Sequence, residues 1–161
     1  MAQPISLLVL DVDGVLTDGR LYFGVRGEAL KVFHVRDGYG IVQLRRSGIE
    51  VAVISGRRSP MVVARCRELG VRLVQQGVTD KLQALRRLCA RLEIAAHQCA
   101  AVGDDLPDLP LMRAVAMSFA VADAHPDVRR TADRVTRSAG GCGAVREVCD
   151  HLLARTRQRA R

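Results

Sequence analysis

The chain has no tryptophan and only five aromatic residues among 161, and none of them follows Phe119. That scarcity limits what a formal net charge of +8 can mean. Surfaces that bind single-stranded nucleic acid interleave basic groups with aromatic rings on which bases stack. Here six of the eight surplus charges fall between Arg129 and Arg161, a stretch without one aromatic. The basic tail 155–161 therefore reads as a disordered, solvated terminus, and no nucleic-acid partner is expected. Long apolar runs are also missing. No segment approaches the roughly 20 apolar residues of a membrane span, and the run Leu7–Leu10 is too short for a signal h-region and follows no basic segment. The expectation is a cytoplasmic protein without a membrane partner. The five cysteines (Cys66, Cys89, Cys99, Cys142, Cys149) are odd in number and lack CxxC spacing, so they read as buried thiols rather than disulfides or zinc ligands. The four histidines show no ligand pattern. Lysine is almost absent: of 25 basic residues only Lys31 and Lys81 are lysines. In so arginine-biased a chain, a retained lysine hints at a site that wants a compact ammonium rather than a planar fork.

What is present is a series of apolar strands that end in chemistry-bearing turns. Leu7–Leu10 runs straight into Asp11-Val12-Asp13-Gly14. Alternate strand residues point the same way, and ligands of α/β proteins bind at the carboxyl ends of parallel strands. Two acids placed there repel one another unless a cation sits between them, which implies a hard ion such as Mg²⁺. By itself such a run also fits an ordinary solvated turn. A second strand, Glu50–Ser55, ends in Ser55-Gly56-Arg57, whose hydroxyl and backbone amides suit a phosphate. Lys81 follows the N-cap residue Asp80 at the head of a helix with Leu82, Leu85, Leu88, Cys89 and Leu92 at helical spacing. A third strand, Cys99–Gly103, leads into Asp104-Asp105-Leu106-Pro107-Asp108, a second acidic cluster.

Coarsely, the chain reads as strand 7–11, hairpin 20–33, helix 38–47, strand 50–55, helix 60–69, strand 72–75, helix 81–92, strand 99–103, helix 106–113, strand 117–121, helix 126–131, strand 134–136 and helix 143–155. This alternation predicts an α/β fold, a single Rossmann-like domain with a parallel sheet and helices on both faces. Ala139–Gly143 looks like its most flexible connection. The hairpin is apolar on both faces (Leu21, Tyr22, Phe23, Val25, Leu30, Val32, Phe33), and residues 22–39 hold four of the five aromatics. A ribbon of that composition is expected to be buried by another subunit, the alternative being that it folds back on its own core.

The ordered series DxD, Ser-Gly, Lys and GDDxxD resembles the motif set of the haloacid dehalogenase superfamily of phosphohydrolases. The gaps between its motifs leave no room for a cap domain, so the hairpin is the flap that covers the site. The longer strings DVDGVLTDG, HVRDGYGI, GDDLPD, VADAHP and GGCGAVREVCDHLL resemble one capless, tetrameric family within it, the 3-deoxy-D-manno-octulosonate 8-phosphate phosphatases, over roughly Leu7 to Leu153. That resemblance implies a Mg²⁺-dependent phosphatase of lipopolysaccharide precursor synthesis, assembled as a homotetramer whose subunits complete one another's sites.

Carried over by position, the resemblance makes Asp11 the nucleophile and Asp13 the general acid/base. Mg²⁺ is then held by Asp11, the Asp13 carbonyl and Asp104, and the phosphoryl oxygens by Ser55 and Lys81. Sugar-acid contacts come from His34, Val35, Arg36, Asp37, Gly38, Arg57 and Arg65, alongside Asp13 and Lys81. Asp105 and Asp108 are expected behind the metal waters, with a helix-capping role open for Asp108. Val42 and His34 depart from the family pattern, in which a basic residue and an asparagine are common there. The readings left open are a phosphatase of a nine-carbon sialic-type acid phosphate, a catalytically silent assembly module, and a nucleic-acid 3′-phosphatase.

Overall fold

The structure, a computed structural model, describes residues 4–159. Its centre is β1 (Leu7–Leu10), four apolar residues that are all buried. A strand apolar on both faces needs cover above and below, and a parallel sheet flanked by helices supplies it. β1 lies between two parallel neighbours, β4 (Glu50–Ser55) and β6 (Cys99–Gly103), with Leu10 level with Val53 on one side and Val102 on the other. With β5 (Leu73–Gln76), β7 (Met117–Ala120) and β8 (Arg134–Val135) the sheet runs β5-β4-β1-β6-β7-β8. The chain order reverses direction at β1, so a crevice opens at its carboxyl end, where Asp11 sits.

The helices are α1 (Val35–Arg46), α2 (Pro60–Glu68), α3 (Lys81–Leu92), α4 (Leu109–Met112), α5 (Pro126–Thr131) and α6 (Ala144–Arg159). The expected α/β architecture is present, with differences at its ends. Helix α1 begins at Val35 rather than 38, because the His34 ring accepts a hydrogen bond from the Arg36 N–H (3.2 Å) and caps it. Gly38 and Gly40 are poor helix formers, yet α1 needs them. A Cβ on Gly40 would stand 3.2 Å from the Arg146 Cα, where α1 packs on α6. The expected helix 106–113 is a 3-10 turn, Leu106–Asp108, followed by the short α4. Pro107 and Pro110 lack the N–H groups that a continuous helix would use. The tail departs from a disordered reading, since α6 continues through Arg159; Ala160 and Arg161 lie outside the described residues.

The segment Ala139–Gly143 is packed rather than flexible. Gly141 N–H bonds the Val15 carbonyl (3.0 Å) and Gly140 N–H bonds Asp123 (2.9 Å). A Cβ on Gly140 would come within 1.7 Å of the Gly14 carbonyl oxygen, so these glycines provide close approach to the Asp11–Gly14 turn. All five cysteines are unpaired and four are buried; Cys142 is exposed, against expectation.

The hairpin forms its own two-stranded sheet from β2 (Tyr22–Gly24) and β3 (Gly27–Leu30). Its strands stay off the core, while Phe33 at the end of the segment 20–33 packs against it. Phe23 is 65 % exposed, Val25 fully so, and Leu30 and Val32 about half, while Val35 and Tyr39 extend the same apolar surface onto α1. Among the described residues, the inserts around the crevice hold only this hairpin and single helices, with no cap domain.

Candidate active site

Parallel pairing of β1, β4 and β6 brings four sequence-distant ends to one edge. Asp11 follows β1, Ser55 ends β4, Asp104 follows β6, and Lys81 opens α3. Together with Asp13, Gly56, Arg57, Val78, Thr79, Asp105, Pro107 and Asp108 they line one open cleft. The local sequence builds this edge under tight steric limits. Gly14 has φ of +89°, and a Cβ there would lie 2.0 Å from the Asp104 carboxylate, so only glycine lets the two acidic turns meet.

Lys81 is the hub of the cleft floor. Its Nζ donates to Asp11 Oδ1 (2.8 Å) and Asp108 Oδ1 (2.6 Å), and its side chain is only 7 % exposed. Burial alone would lower its pKa, but Asp11 and Asp108 hold it above the usual lysine value. Asp108 uses its other oxygen to accept the N–H groups of Asp104 (3.0 Å) and Asp105 (3.3 Å). It therefore shapes the acidic loop and anchors Lys81 at once, so the two roles left open for it are compatible. Asp105 is exposed and caps its own turn through the Leu106 N–H (2.8 Å).

Asp11, Asp104 and Asp108 offer carboxylate oxygens within 4.8 Å of one another. Such crowding is costly. Burial, then Asp108, pushes Asp11 up to about 6 in spite of Lys81. Burial, then Asp11 and Asp108, pushes Asp104 up to about 8. The cleft walls carry five carboxylates against Lys81 and Arg57, and no anionic substrate would enter so acidic a space without a compensating cation. A cluster made only of hard oxygen donors suits Mg²⁺. Here the fit rests on Asp11 and Asp104, because Asp108 already spends both oxygens on Lys81 and the loop.

The Asp13 side chain, in the wall of the same cleft, has a different set of partners. Lys31 donates to its Oδ1, and Arg57 Nε lies 3.7 Å from its Oδ2. Neither Lys31 nor its ion-pair partner Glu28 (2.8 Å) was singled out from sequence as a site residue. The signal was the rarity of lysine itself, since the chain's two lysines each bind one aspartate of the DxD pair. Val78, Thr79 and Pro107 also line the cleft without a sequence signal.

Part of the expected sugar-contact set is not brought to the cleft within one chain. His34, Val35, Arg36, Asp37, Gly38 and Arg65 are absent from its walls. Asp37 is buried against α6, accepting the Arg146 N–H (2.8 Å). Arg36 faces a separate hollow with Cys142, Arg146 and Asp150. Arg65 pairs with Glu68 (2.8 Å) and lies 5.9 Å above the Phe33 ring.

Comparison with known proteins gives the family. Residues 71–148 match the haloacid dehalogenase-like hydrolase family. A 3-deoxy-D-manno-octulosonate 8-phosphate phosphatase of Escherichia coli K12 is 56 % identical over 152 residues, 94 % of this chain and 81 % of that protein. The crystal structure of the Yersinia pestis phosphatase of the same name superposes with a TM-score of 0.91 at 52 % identity, over 93 % of this chain and 81 % of that one. The Moraxella catarrhalis phosphatase, solved with magnesium, phosphate and a KDO molecule, gives 0.91 at 43 % identity, over 93 % and 86 %. A Haemophilus influenzae relative, solved with cobalt, gives 0.91 at 46 %, over 93 % and 88 %. At 56 % identity over 94 % of its length, the chain belongs to the 3-deoxy-D-manno-octulosonate 8-phosphate phosphatase family of haloacid dehalogenase-like hydrolases.

Proposed function

We propose that the chain hydrolyses 3-deoxy-D-manno-octulosonate 8-phosphate to the free sugar acid and phosphate. The single observation that carries the reading is the convergence of Asp11, Asp104 and Lys81 at one sheet edge beside Asp13, in a chain 56 % identical to phosphatases of that name. Asp11 attacks phosphorus in line and becomes an aspartyl phosphate, its carboxylate kept oriented by Lys81. Asp13 first protonates the departing sugar oxygen and then takes a proton from the water that hydrolyses the intermediate. Ser55 and Lys81 hold the phosphoryl oxygens, and Lys81 adds positive charge where negative charge accumulates. Mg²⁺, held by Asp11, the Asp13 carbonyl and Asp104, supplies further charge neutralisation when bound. Asp105 and Asp108 belong behind that ion, Asp108 through its hold on the acidic loop.

The cleft is open and the hairpin beside it exposes apolar residues, which supports a homotetramer in which neighbouring subunits cover each site. In such an assembly His34, Val35, Arg36 and Arg65 contact the sugar acid of an adjoining subunit, with the buried Asp37 and Gly38 setting the start of α1 behind them, while Arg57 serves the cleft of its own chain. Arginine suits this task because its fork binds both oxygens of a carboxylate. A cytoplasmic place in lipopolysaccharide precursor synthesis completes the reading and accords with five unpaired thiols.

The test is phosphate release with Mg²⁺ across a panel of sugar phosphates. The eight-carbon acid phosphate is expected to be turned over with the highest kcat/KM. A higher value for a nine-carbon sialic-type acid phosphate, or for a nucleic-acid 3′-phosphate, would overturn the assignment.

A further inference from the structure

Lys31 is buried where its neighbours are not. It directly follows β3, between Leu30 and Val32, which are 45 % and 54 % exposed, yet its side chain is 1 % exposed. Burying an ammonium costs free energy unless carboxylates meet it. Here two do: Asp13 accepts a hydrogen bond from Nζ, and Glu28 on β3 lies 2.8 Å away. Arg57 closes the group from the β4 side, with Nη2 3.6 Å from Glu28 Oε1 and Nε 3.7 Å from Asp13 Oδ2. Two acids and two bases thus form one network that joins the hairpin to the DxD turn.

Lys31 is not among the residues that line the cleft, whereas Asp13 and Arg57 are. Its link to the cleft therefore runs through Asp13 and the Glu28–Arg57 pair. The ammonium on Oδ1 leaves Oδ2, which has Arg57 Nε at 3.7 Å, as the freer oxygen to give or receive a proton. Resting on the reading of Asp13 as the acid/base, we propose that Lys31 is a positioning residue which, held by Glu28, fixes the Asp13 carboxylate for proton transfer and ties its orientation to the placement of the hairpin. The proton itself moves between Asp13 Oδ2 and the sugar oxygen or water, and Lys31 keeps its own protons throughout.

A positioned acid matters most when the leaving group is a poor one. A sugar alkoxide needs its proton as the phosphorus–oxygen bond breaks, whereas 4-nitrophenolate departs without one, and general acid catalysis typically contributes about 10²–10⁴-fold. The intact chain with Mg²⁺ is therefore compared with Lys31→Met on both the octulosonate phosphate and 4-nitrophenyl phosphate. Lys31→Met is expected to lower kcat/KM for the sugar phosphate by about 100-fold and for the aryl ester by less than about 10-fold. On the aryl ester it should also show a pre-steady-state burst of nitrophenolate, because the aspartyl phosphate then waits for a poorly oriented base. In Lys31→Ala, added propylammonium is expected to restore part of the sugar-phosphate activity.

Equal losses on both substrates would overturn the proposal and mark Lys31 as structural only. If Lys31→Met changes the sedimentation or circular dichroism of the protein, the decision falls to Glu28→Gln. That variant keeps the bond from Lys31 to Asp13 but loosens its anchor, and is expected to show the same substrate dependence at smaller size; an unchanged substrate ratio there would also overturn it. A wild-type protein inactive on both esters would instead defeat the phosphatase reading itself.

Discussion

The two aspartates of the DxD turn are two residues apart, and each binds one of the chain's two lysines, but they live in different structures. Asp11 belongs to an inner half built wholly on the parallel sheet. Its partners Lys81, Asp104 and Asp108 come from α3 and the end of β6, and Lys81 and Asp108 are buried. Asp13 belongs to an outer half whose partners are Lys31, just after β3 and itself paired with Glu28, and Arg57 after β4. The inner half is rigid because the register of three paired strands fixes it. The outer half is only as fixed as a two-stranded ribbon that leaves Phe23, Val25, Leu30 and Val32 in water. On the proposed reading, binding and activating phosphate falls to the core, and proton transfer to a periphery whose apolar hairpin is exposed in the single chain.

Breaking the inner half should have the largest effect. Asp11→Asn is expected to lower kcat by about 10⁴-fold or more, the order found when a nucleophile acting within a unit is removed. Circular dichroism should be unchanged, since the substitution keeps the side-chain volume. Residual Mg²⁺-dependent turnover near the wild-type rate would show that Asp11 is not the nucleophile.

Breaking the outer half without touching the inner one should cost less. Phe23→Asp places a charge on the hairpin surface that a partner would have to bury, and is expected to dissociate the assembly with about a 10-fold or greater loss of kcat/KM for the sugar phosphate. Mg²⁺ affinity, an inner-half property, should stay within about twofold. Sedimentation alongside calorimetric Mg²⁺ titration separates these outcomes, and a fully active wild-type monomer would remove the basis of the comparison.

The smallest effect concerns stability and sharpens the electrostatic side. Asp11 and Asp104 are pushed up to about 6 and about 8 by burial and by their carboxylate neighbours. Between the ordinary carboxylate range and those values the metal-free native state holds more protons than the unfolded chain, so raising the pH lowers stability. The Tm of chelated protein is expected to fall by a few degrees between pH 5 and pH 8, on the order set by about 1 kcal/mol in a domain of this size. Excess Mg²⁺ should raise Tm more at pH 8 than at pH 5, since it binds the deprotonated acids. A Tm of the chelated protein that rises over this interval would contradict the crowding described for Asp104.

Most of the inner half was legible in the sequence because its determinants are local. Apolar runs of four to six residues ending in DxDG, SGR and GDD specify buried parallel strands with acids or hydroxyls at their ends, and Asp80 before Lys81 specifies a helix start. The same locality misplaced what depends on distant partners. The first helix, expected from 38, begins instead at Val35, and its Gly40 answers to Arg146, more than a hundred residues away. Ala139–Gly143 looked flexible because glycine is permissive, and is instead the close packing surface for the DxD turn. Pro107 and Pro110 break the expected helix 106–113 into a 3-10 turn and the short α4.

The sequence by itself determined which residue types stand at each strand end, and therefore the class of chemistry, because periodicity and turn composition act over a few residues. Only the tertiary structure decided which groups meet. Strand register set Asp11, Asp104 and Asp108 within 4.8 Å of one another, and the path of the hairpin carried Lys31 back to Asp13 across a separation of 18 residues. Neither contact has a local signature, since both follow from where whole elements pack and from the cost of leaving a buried charge without a partner.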